Sequence, residues 1–224
     1  MSGFSVAIDG PGGAGKSTIA RMLAQELRFS YIDTGAMYRA VALFCLNEGI
    51  SFEQMAIAQR LDDISIGIRY VNGEQRIFLC GVDVSEEIRT PQVAEGSSKV
   101  AVFPEVREKL VAFQRQLAAD GNVIMDGRDI GTHVLPSANV KIYLDAGVDH
   151  RARRRQAELL ARGIESDFEQ TKAEVIERDR RDMNREFSPL RRAGDAVLVE
   201  TCDMSLDEVK NKLVGIICAK RETV

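Results

Sequence analysis

"IDGPGGAGKST", residues 8–18, places four glycines and one lysine between a short apolar run and an amphipathic one. The stretch from Gly10 to Ser17 fits the pattern G-x-x-x-x-G-K-[ST] in full, with a strand pattern before it and a helical pattern after it. Glycines let the backbone turn where side chains would clash, so that its N–H groups can point inward and surround an anion. The helix that follows adds its positive end. The motif therefore predicts a site for a nucleoside triphosphate at a strand–helix junction.

The triphosphate is expected to be ATP or GTP, bound together with Mg²⁺. Lys16 would reach the β- and γ-phosphates, and the Ser17 hydroxyl would hold the metal. The residues expected to bind this nucleotide are Gly10, Pro11, Gly12, Gly13, Ala14, Gly15, Lys16, Ser17 and Thr18. GTPases use an N-K-x-D motif for the base, and the nearest string, at residues 211–214, lacks the acid. Kinases of small molecules remain as the favoured class.

Short apolar strand patterns and helical patterns alternate along the chain. Strands are predicted at residues 4–8, 29–32, 123–125, 140–144 and 196–199. Helices are predicted at 18–27, at 105–119 and from 206 to about 220, among others. This alternation predicts an α/β fold, a three-layer sandwich around a five-stranded parallel sheet, and the glycine loop makes it one of the P-loop kinase type. Asn72-Gly73 between two alternating stretches predicts a hairpin, and so a small antiparallel insert at roughly 60–90.

Composition narrows the class of protein. The chain has 224 residues, 45% hydrophobic and 29% charged, with a formal net charge of −4, which argues against a dedicated nucleic-acid binder. No apolar run is long enough for a membrane span, and no signal-peptide pattern is present. The cysteines lack metal-ligand spacing, which indicates reduced thiols and a cytoplasmic location. We see no apolar helix seam, and the expectation is a monomer.

Two further motifs follow predicted strands. "DTGAMYR", residues 33–39, contains T-G-x-x-x-R, and its arginine could hold a second anion. "VIMDGRDIGTHVLP", residues 123–136, ends a strand with two acids and an arginine, which are costly there unless they meet charged partners. Residues 149–192 are rich in arginine and in acids. This stretch could form solvated, salt-bridged helices or a phosphate-binding surface, and Arg151 to Arg155 are open to both interpretations.

The sequence resembles the bacterial cytidylate kinases along nearly its whole length. The glycine loop and T-G-x-x-x-R are shared with nucleoside monophosphate kinases in general. "IDTGAMYR", "EEIRTPQV", "DGRDIGT", "RDRRDMNREFSPL" and the hairpin insert are similar to cytidylate kinases in particular. The resemblance implies transfer of a phosphoryl group from ATP to CMP or dCMP with Mg²⁺. It also implies a single domain over residues 1–224, with a monophosphate-binding subdomain at about 60–100 and a helical lid at about 151–190.

The resemblance also implies roles for particular residues. Catalytic contacts are implied for Lys16, Arg128, Arg178 and Arg185, and metal contacts for Ser17 and Asp126. The acceptor nucleotide would be bound by Thr34, Arg39, Ser98, Arg107, Arg128, Asp129, Asp182 and Arg185. Of these, Arg39 and Arg128 would grip the phosphate and Asp182 a sugar hydroxyl, while Ser98, Arg107 and Asp129 would recognise cytosine. A carboxylate can accept from the cytosine amine and would repel the carbonyl of uracil.

Two other interpretations remain open. The acceptor of a kinase of this type could be UMP, AMP or a non-nucleotide such as shikimate. The chain could instead be a binding module that uses ATP as a signal and forms no product. The second anion site disfavours such a module, because a sensor needs no acceptor pocket.

Overall fold

A computed structural model describes residues 3–71, 74–119 and 121–223. The chain divides into two compact units, one of residues 1–31 with 121–224 and the other of residues 32–120. The first unit contains the glycine loop and most of the parallel sheet, and the second contains the antiparallel insert. None of the helices in the described ranges is long and apolar enough to cross a membrane.

The parallel sheet has five strands in the order β2-β6-β1-β7-β8. They are β1 (Ser5–Asp9), β2 (Ser30–Asp33), β6 (Val123–Gly127), β7 (Val140–Asp145) and β8 (Val197–Glu200). The central strand β1 runs parallel to β6 on one side and to β7 on the other. Val6, Ala7 and Ile8 are fully buried, as expected for an apolar strand covered on both faces. The predicted five-stranded parallel sheet is confirmed.

The described part of the first unit contains four α-helices: α1 (Lys16–Leu27), α6 (Val148–Ala161), α7 (Phe168–Asn184) and α8 (Leu206–Arg221). Ile19 and Leu23 of α1 and Leu213 of α8 are buried in the same core cluster as the strands. The spacing of these apolar side chains along each helix is the signal that the sequence provided. Helix α8 begins with a capping box, in which Ser205 and Glu208 exchange hydrogen bonds.

The second unit combines helices with a small sheet. Its helices are α2 (Thr34–Asn47), α3 (Gln54–Ala58), α4 (Pro91–Val100) and α5 (Pro104–Ala119). Its strands β3 (Ile66–Val71), β4 (Glu74–Leu79) and β5 (Val82–Asp83) form an antiparallel sheet in that order. The predicted hairpin pairing is confirmed, with Val71 opposite Glu74. The predicted turn, Asn72-Gly73, lies outside the described residues.

Several short elements were not predicted. They include two 3₁₀ turns, Leu61–Asp63 and Glu87–Arg89, and α3, which has five residues. Another is a short π-helical turn, Ile130–Val134, directly after the D-G-R-D stretch. Its sequence, IGTHV, contains a glycine and three β-branched residues, all of which disfavour helix, so propensity alone gives no signal.

Candidate active site

The glycine loop, residues 10–17, has a backbone that only glycine adopts readily. Gly10, Gly13 and Gly15 have φ angles of 147°, 77° and 88°. A Cβ atom on Gly10 would lie 2.0 Å from the carbonyl oxygen of Leu144, at the end of β7. Gly15 is the N-cap of α1, so the loop leads directly into the N-terminus of that helix. A helix leaves its first N–H groups without partners inside the helix, so such donors and the positive helix end are expected beside the loop.

Lys16 lies buried at the start of α1, with 5% of its surface exposed. Its Nζ donates a hydrogen bond of 2.7 Å to the carbonyl oxygen of Pro11 in the loop. Burial and then the nearby charge of Arg128 lower the pKa of Lys16 well below its usual value, while Asp126 opposes this shift. A bound polyphosphate would favour the charged lysine, because an adjacent anion stabilises a cation.

Asp126, at the end of β6, joins two other elements. Its Oδ2 accepts from the Ser17 hydroxyl at 2.8 Å, and its Oδ1 accepts from the Tyr31 hydroxyl at 2.8 Å. The hydroxyl of Ser17 and the carboxylate of Asp126 are oxygen ligands of the kind that Mg²⁺ prefers. Among the described residues, no group of three or more His, Cys, Asp and Glu side chains could hold a metal. Mg²⁺ bound through one or two side chains, substrate phosphates and waters needs no such group.

Arg128 follows β6 and pairs with Asp182 on α7. The Nε atom of Arg128 lies 2.8 Å from Oδ2 of Asp182. Burial opposes charge on both groups, but their attraction outweighs it, so the pKa of Arg128 is raised and that of Asp182 is lowered. A Cβ on Gly12 would lie 3.6 Å from both Nη2 of Arg128 and Cδ of Arg178. Both arginines therefore lie beside the glycine loop, where a phosphate-binding role would need them.

Asp129 and Arg185 form a second buried pair. Nη2 of Arg185 lies 3.2 Å from Oδ1 of Asp129, and both side chains are more than nine-tenths buried. The Nε atom of Arg185 donates to the carbonyl oxygen of Ser188 at 2.6 Å. The structure thus brings together seven predicted side chains of the first unit: Lys16, Ser17, Asp126, Arg128, Asp129, Asp182 and Arg185. Arg178 joins them through its position beside Gly12.

The second unit contains the other predicted residues. Thr34 is buried at the start of α2, and Nη2 of Arg39 lies 2.9 Å from Oδ2 of Asp33. Asp33 also caps α2, because its Oδ1 accepts from the backbone N–H of Ala36 at 2.9 Å. Its own backbone N–H donates to Oε1 of Gln75 on β4 at 3.0 Å. Asp33 therefore orients Arg39, a role that the sequence analysis did not assign.

Ser98 and Arg107 are buried on α4 and α5, with 9% and 3% of their surfaces exposed. The guanidinium carbon of Arg107 lies 5.8 Å from the centre of the Tyr38 ring, within the range of a cation–π contact. Its Nη1 donates to the carbonyl oxygen of Ala101 at 3.4 Å. Serine and arginine side chains are uncommon in a protein core, because burial removes their hydrogen bonds to water. Both side chains therefore need polar contacts within the protein.

Asp9, at the end of β1, is a residue of the site that the sequence analysis missed. Its two carboxylate oxygens accept from the backbone N–H groups of Ile130 and Gly131, both at 2.7 Å. Burial raises the pKa of Asp9 to about 6, although these two hydrogen bonds oppose the shift. The available signal was an apolar strand that ends in an acid immediately before the glycine loop. Asp9 fixes the backbone that directly follows Asp129.

Comparisons with known proteins identify the family of the chain. Residues 6–219 match the family model described as cytidylate kinase. The chain is 50% identical over 220 residues to the cytidylate kinase of Carboxydothermus hydrogenoformans, covering 98% of this chain and 99% of that protein. It is 48% identical over 217 residues to the cytidylate kinase of Caldicellulosiruptor bescii, covering 96% of each.

A solved structure supports the fold class. The crystal structure of an uncharacterized protein from Eubacterium ventriosum aligns with a TM-score of 0.54 and 12% identity, over 96% of this chain and 98% of that chain. At this identity the likeness concerns the fold alone. The family match and the identity to both relatives extend over nearly the whole sequence, so the chain belongs to the cytidylate kinase family.

Proposed function

We propose that the protein transfers the γ-phosphoryl group of ATP to CMP or dCMP, forming ADP and CDP or dCDP. Membership of the cytidylate kinase family supports the class of acceptor. The structural observation that carries the proposal is the cluster of basic side chains beside the glycine loop, with Lys16 buried and Arg128 and Arg178 partly buried. These positive charges can be neutralised by the protein's own carboxylates and by an incoming phosphate group.

The donor nucleotide binds to the glycine loop and the start of α1, from Gly10 to Thr18. Backbone N–H groups of the loop surround the phosphates, and Lys16 moves its hydrogen bond from the carbonyl of Pro11 to a phosphate oxygen. The Ser17 hydroxyl and the Asp126 carboxylate, 2.8 Å apart, would hold Mg²⁺. When bound, Mg²⁺ neutralises charge on the phosphates and fixes their orientation.

The acceptor phosphate is held by Arg39 and Arg128, with Thr34 as a hydroxyl contact. Arginine suits this role because its planar fork can donate two parallel hydrogen bonds to a phosphate. Asp182 accepts from a sugar hydroxyl of the acceptor. Since Asp182 already pairs with Arg128, one carboxylate can orient the phosphate-binding arginine while it binds the sugar.

Cytosine is recognised by Ser98, Arg107 and Asp129. Asp129 accepts from the exocyclic amine, and Arg107 donates to the ring nitrogen or the carbonyl. A carboxylate offers about four acceptor positions, so Asp129 can keep its contact with Arg185 while it binds the amine. Uracil presents a carbonyl in place of the amine and would be repelled by Asp129.

The reaction is an in-line displacement that needs no strong general base, because the attacking phosphate oxygen of CMP is already anionic. Catalysis then depends on positioning and on neutralising charge as it moves between the phosphates. Lys16, Arg128, Arg178 and Arg185 supply that neutralisation. Residues 151–190 act as the lid, which excludes water so that ATP is not hydrolysed. Residues 60–100 act as the monophosphate-binding insert, and both segments belong to a single domain.

The proposed setting is the cytoplasm, where the protein acts as a monomer on small molecules. The four cysteines are free thiols, as in a reducing compartment.

The function is tested in a steady-state assay with ATP, Mg²⁺ and a panel of acceptors: CMP, dCMP, UMP, AMP and shikimate. CMP and dCMP should give the highest kcat/KM. Binding of ATP with no product from any acceptor would instead indicate a nucleotide-dependent binding module.

A further inference from the structure

Arg151 connects three parts of the first unit that are distant in the sequence. It lies in the first turn of α6 and is 4% exposed. Its Nε donates to the carbonyl oxygen of Ala146, after β7, at 2.8 Å, and its Nη1 donates to that of Gly12 at 3.1 Å. The same Nη1 lies 2.6 Å from Oδ2 of Asp179 on α7. One guanidinium group therefore joins the glycine loop, the end of the sheet and α7.

The backbone of α6 also packs closely against the loop. Gly13 has a φ of 77°, and a Cβ atom on it would lie 3.1 Å from Cβ of Arg151 and 3.2 Å from its carbonyl oxygen. Any larger residue at this position would push the first turn of α6 away from the loop. The location of Arg151 relative to the loop is thus fixed by backbone packing, and its side chain extends that constraint to α7.

Asp179 is placed to determine the orientation of α7. It directly follows Arg178 and lies three residues before Asp182, so the three side chains turn together with the helix. Arg178 lies beside Gly12, and Asp182 pairs with Arg128. A rotation or shift of α7 would move both contacts. The bond between Asp179 and Arg151 therefore fixes where Arg178 lies over the glycine loop.

The pair is better suited to positioning than to stabilising the fold. The Oδ1 atom of Asp179 is buried and makes no hydrogen bond to the part of the chain that the structure describes. A buried carboxylate with one unsatisfied oxygen contributes poorly to stability, and apolar residues of similar volume often replace a buried ion pair without loss. We propose that Arg151 and Asp179 are positioning residues that hold α7 against the glycine loop, so that Arg178 meets the transferred phosphoryl group. This inference rests on the proposed function, in which Arg178 makes that contact.

The double variant Arg151→Met/Asp179→Leu tests the proposal, because it removes both charges and leaves neither partner buried alone. We expect circular dichroism and the thermal midpoint to stay close to the wild type. The kcat with CMP and ATP should fall by about tenfold or more, with KM for CMP within about twofold of the wild type. Arg151→Lys keeps a positive charge but loses the planar fork, and its kcat should fall as well. If a stable double variant keeps the wild-type kcat, the pair has no positioning role.

Lys172 and Asp149 supply a matched control. Nζ of Lys172 lies 2.6 Å from Oδ1 of Asp149, so this pair also joins α7 to α6, but both side chains are partly exposed. Lys172→Gln/Asp149→Asn should therefore lose far less kcat than Arg151→Met/Asp179→Leu. An equal loss of kcat in this control would assign the effect to general packing of the two helices, and would overturn the proposal for Arg151 and Asp179.

Hydrogen exchange separates this inference from the proposed function. A non-hydrolysable ATP analogue with Mg²⁺ should protect the amides of α7 in the wild type, and the double variant should lose this protection although it still binds the analogue. If the wild type failed to phosphorylate CMP, the proposed function would be wrong, and the exchange measurement would still decide the inference. Equal protection of α7 in the wild type and the double variant would contradict it.

Discussion

The Nε atom of Arg128 lies 2.8 Å from the Oδ2 atom of Asp182, and more than four-fifths of each side chain is buried. The arginine that we assign to the acceptor phosphate is therefore held by a carboxylate of the protein itself. Such a pair orients the guanidinium group. Each charge also depends on its partner for stabilisation, because little water reaches it.

Asp182→Ala should destabilise the protein by about 3 kcal/mol, because it leaves Arg128 with a buried charge and fewer partners. Urea unfolding followed by circular dichroism measures this change. Asp195→Ala is the control, since Asp195 pairs with Lys141 but is 67% exposed. That variant should lose less than about 1 kcal/mol. Equal losses would mean that the Arg128–Asp182 pair contributes no more than a surface ion pair.

Lys16→Ala should lower kcat by about 100-fold or more, because it removes a charge that neutralises the transferred phosphoryl group. The fold should persist, since burial already disfavours the charged lysine in the absence of nucleotide. The measurements are kcat with saturating ATP and CMP, and the thermal midpoint. Lys210→Ala on α8 is a control that should leave kcat unchanged. A wild-type kcat in the Lys16→Ala variant would remove this lysine from the mechanism.

Asp129→Asn should reduce the preference for CMP over UMP by about tenfold, because an amide can donate to the uracil carbonyl that a carboxylate repels. The ratio of kcat/KM values for the two acceptors is the measurement. Glu186→Gln changes an exposed carboxylate next to Arg185 in the sequence in the same way, and it should leave the ratio unchanged. An unchanged ratio in the Asp129→Asn variant would show that another residue recognises the base.

Asp9 predicts a dependence of stability on pH. Burial raises the pKa of Asp9 to about 6 in the folded protein, against an ordinary value of 3.8 for aspartate, so the folded state binds the proton more tightly than the unfolded state. The contribution of Asp9 to stability is therefore present below about pH 4 and is lost as the pH rises through 6. The total change is about 3 kcal/mol.

This dependence is measured as the difference in unfolding free energy between the wild type and Asp9→Asn from pH 4 to pH 7. Groups common to both proteins cancel in that difference. The wild type should become less stable relative to Asp9→Asn as the pH rises. A difference that stays flat over this range would mean that the carboxyl group of Asp9 does not titrate there.

Local pattern predicted much of the fold and part of the site. Gly10 to Ser17 could be recognised because a phosphate-binding turn demands glycine, lysine and a hydroxyl at fixed spacing, and the flanking strand and helix have their own periodicities. The five-stranded sheet followed from apolar runs. Residues such as Arg128 and Asp129 stood out because two charges directly after a buried strand need partners.

The remaining features depend on contacts between distant parts of the chain. Tyr31 donates to Asp126, and Arg151 pairs with Asp179, but neither residue belongs to a motif that marks its partner. Asp9 bonds to two backbone N–H groups more than a hundred residues away. A single sequence contains no signal for such pairs, because the same residue types serve equally well as surface charges.

Gly10 has one further consequence. Since a Cβ atom there would lie 2.0 Å from the carbonyl oxygen of Leu144, the first residue of the glycine loop is wedged against the end of β7. The conformational entropy of this turn is therefore lost when the polypeptide folds and not when ATP arrives. A receptor that is ordered in advance keeps more of its contact energy as affinity. Replacement of ADP by ATP then requires no local refolding of the glycine loop.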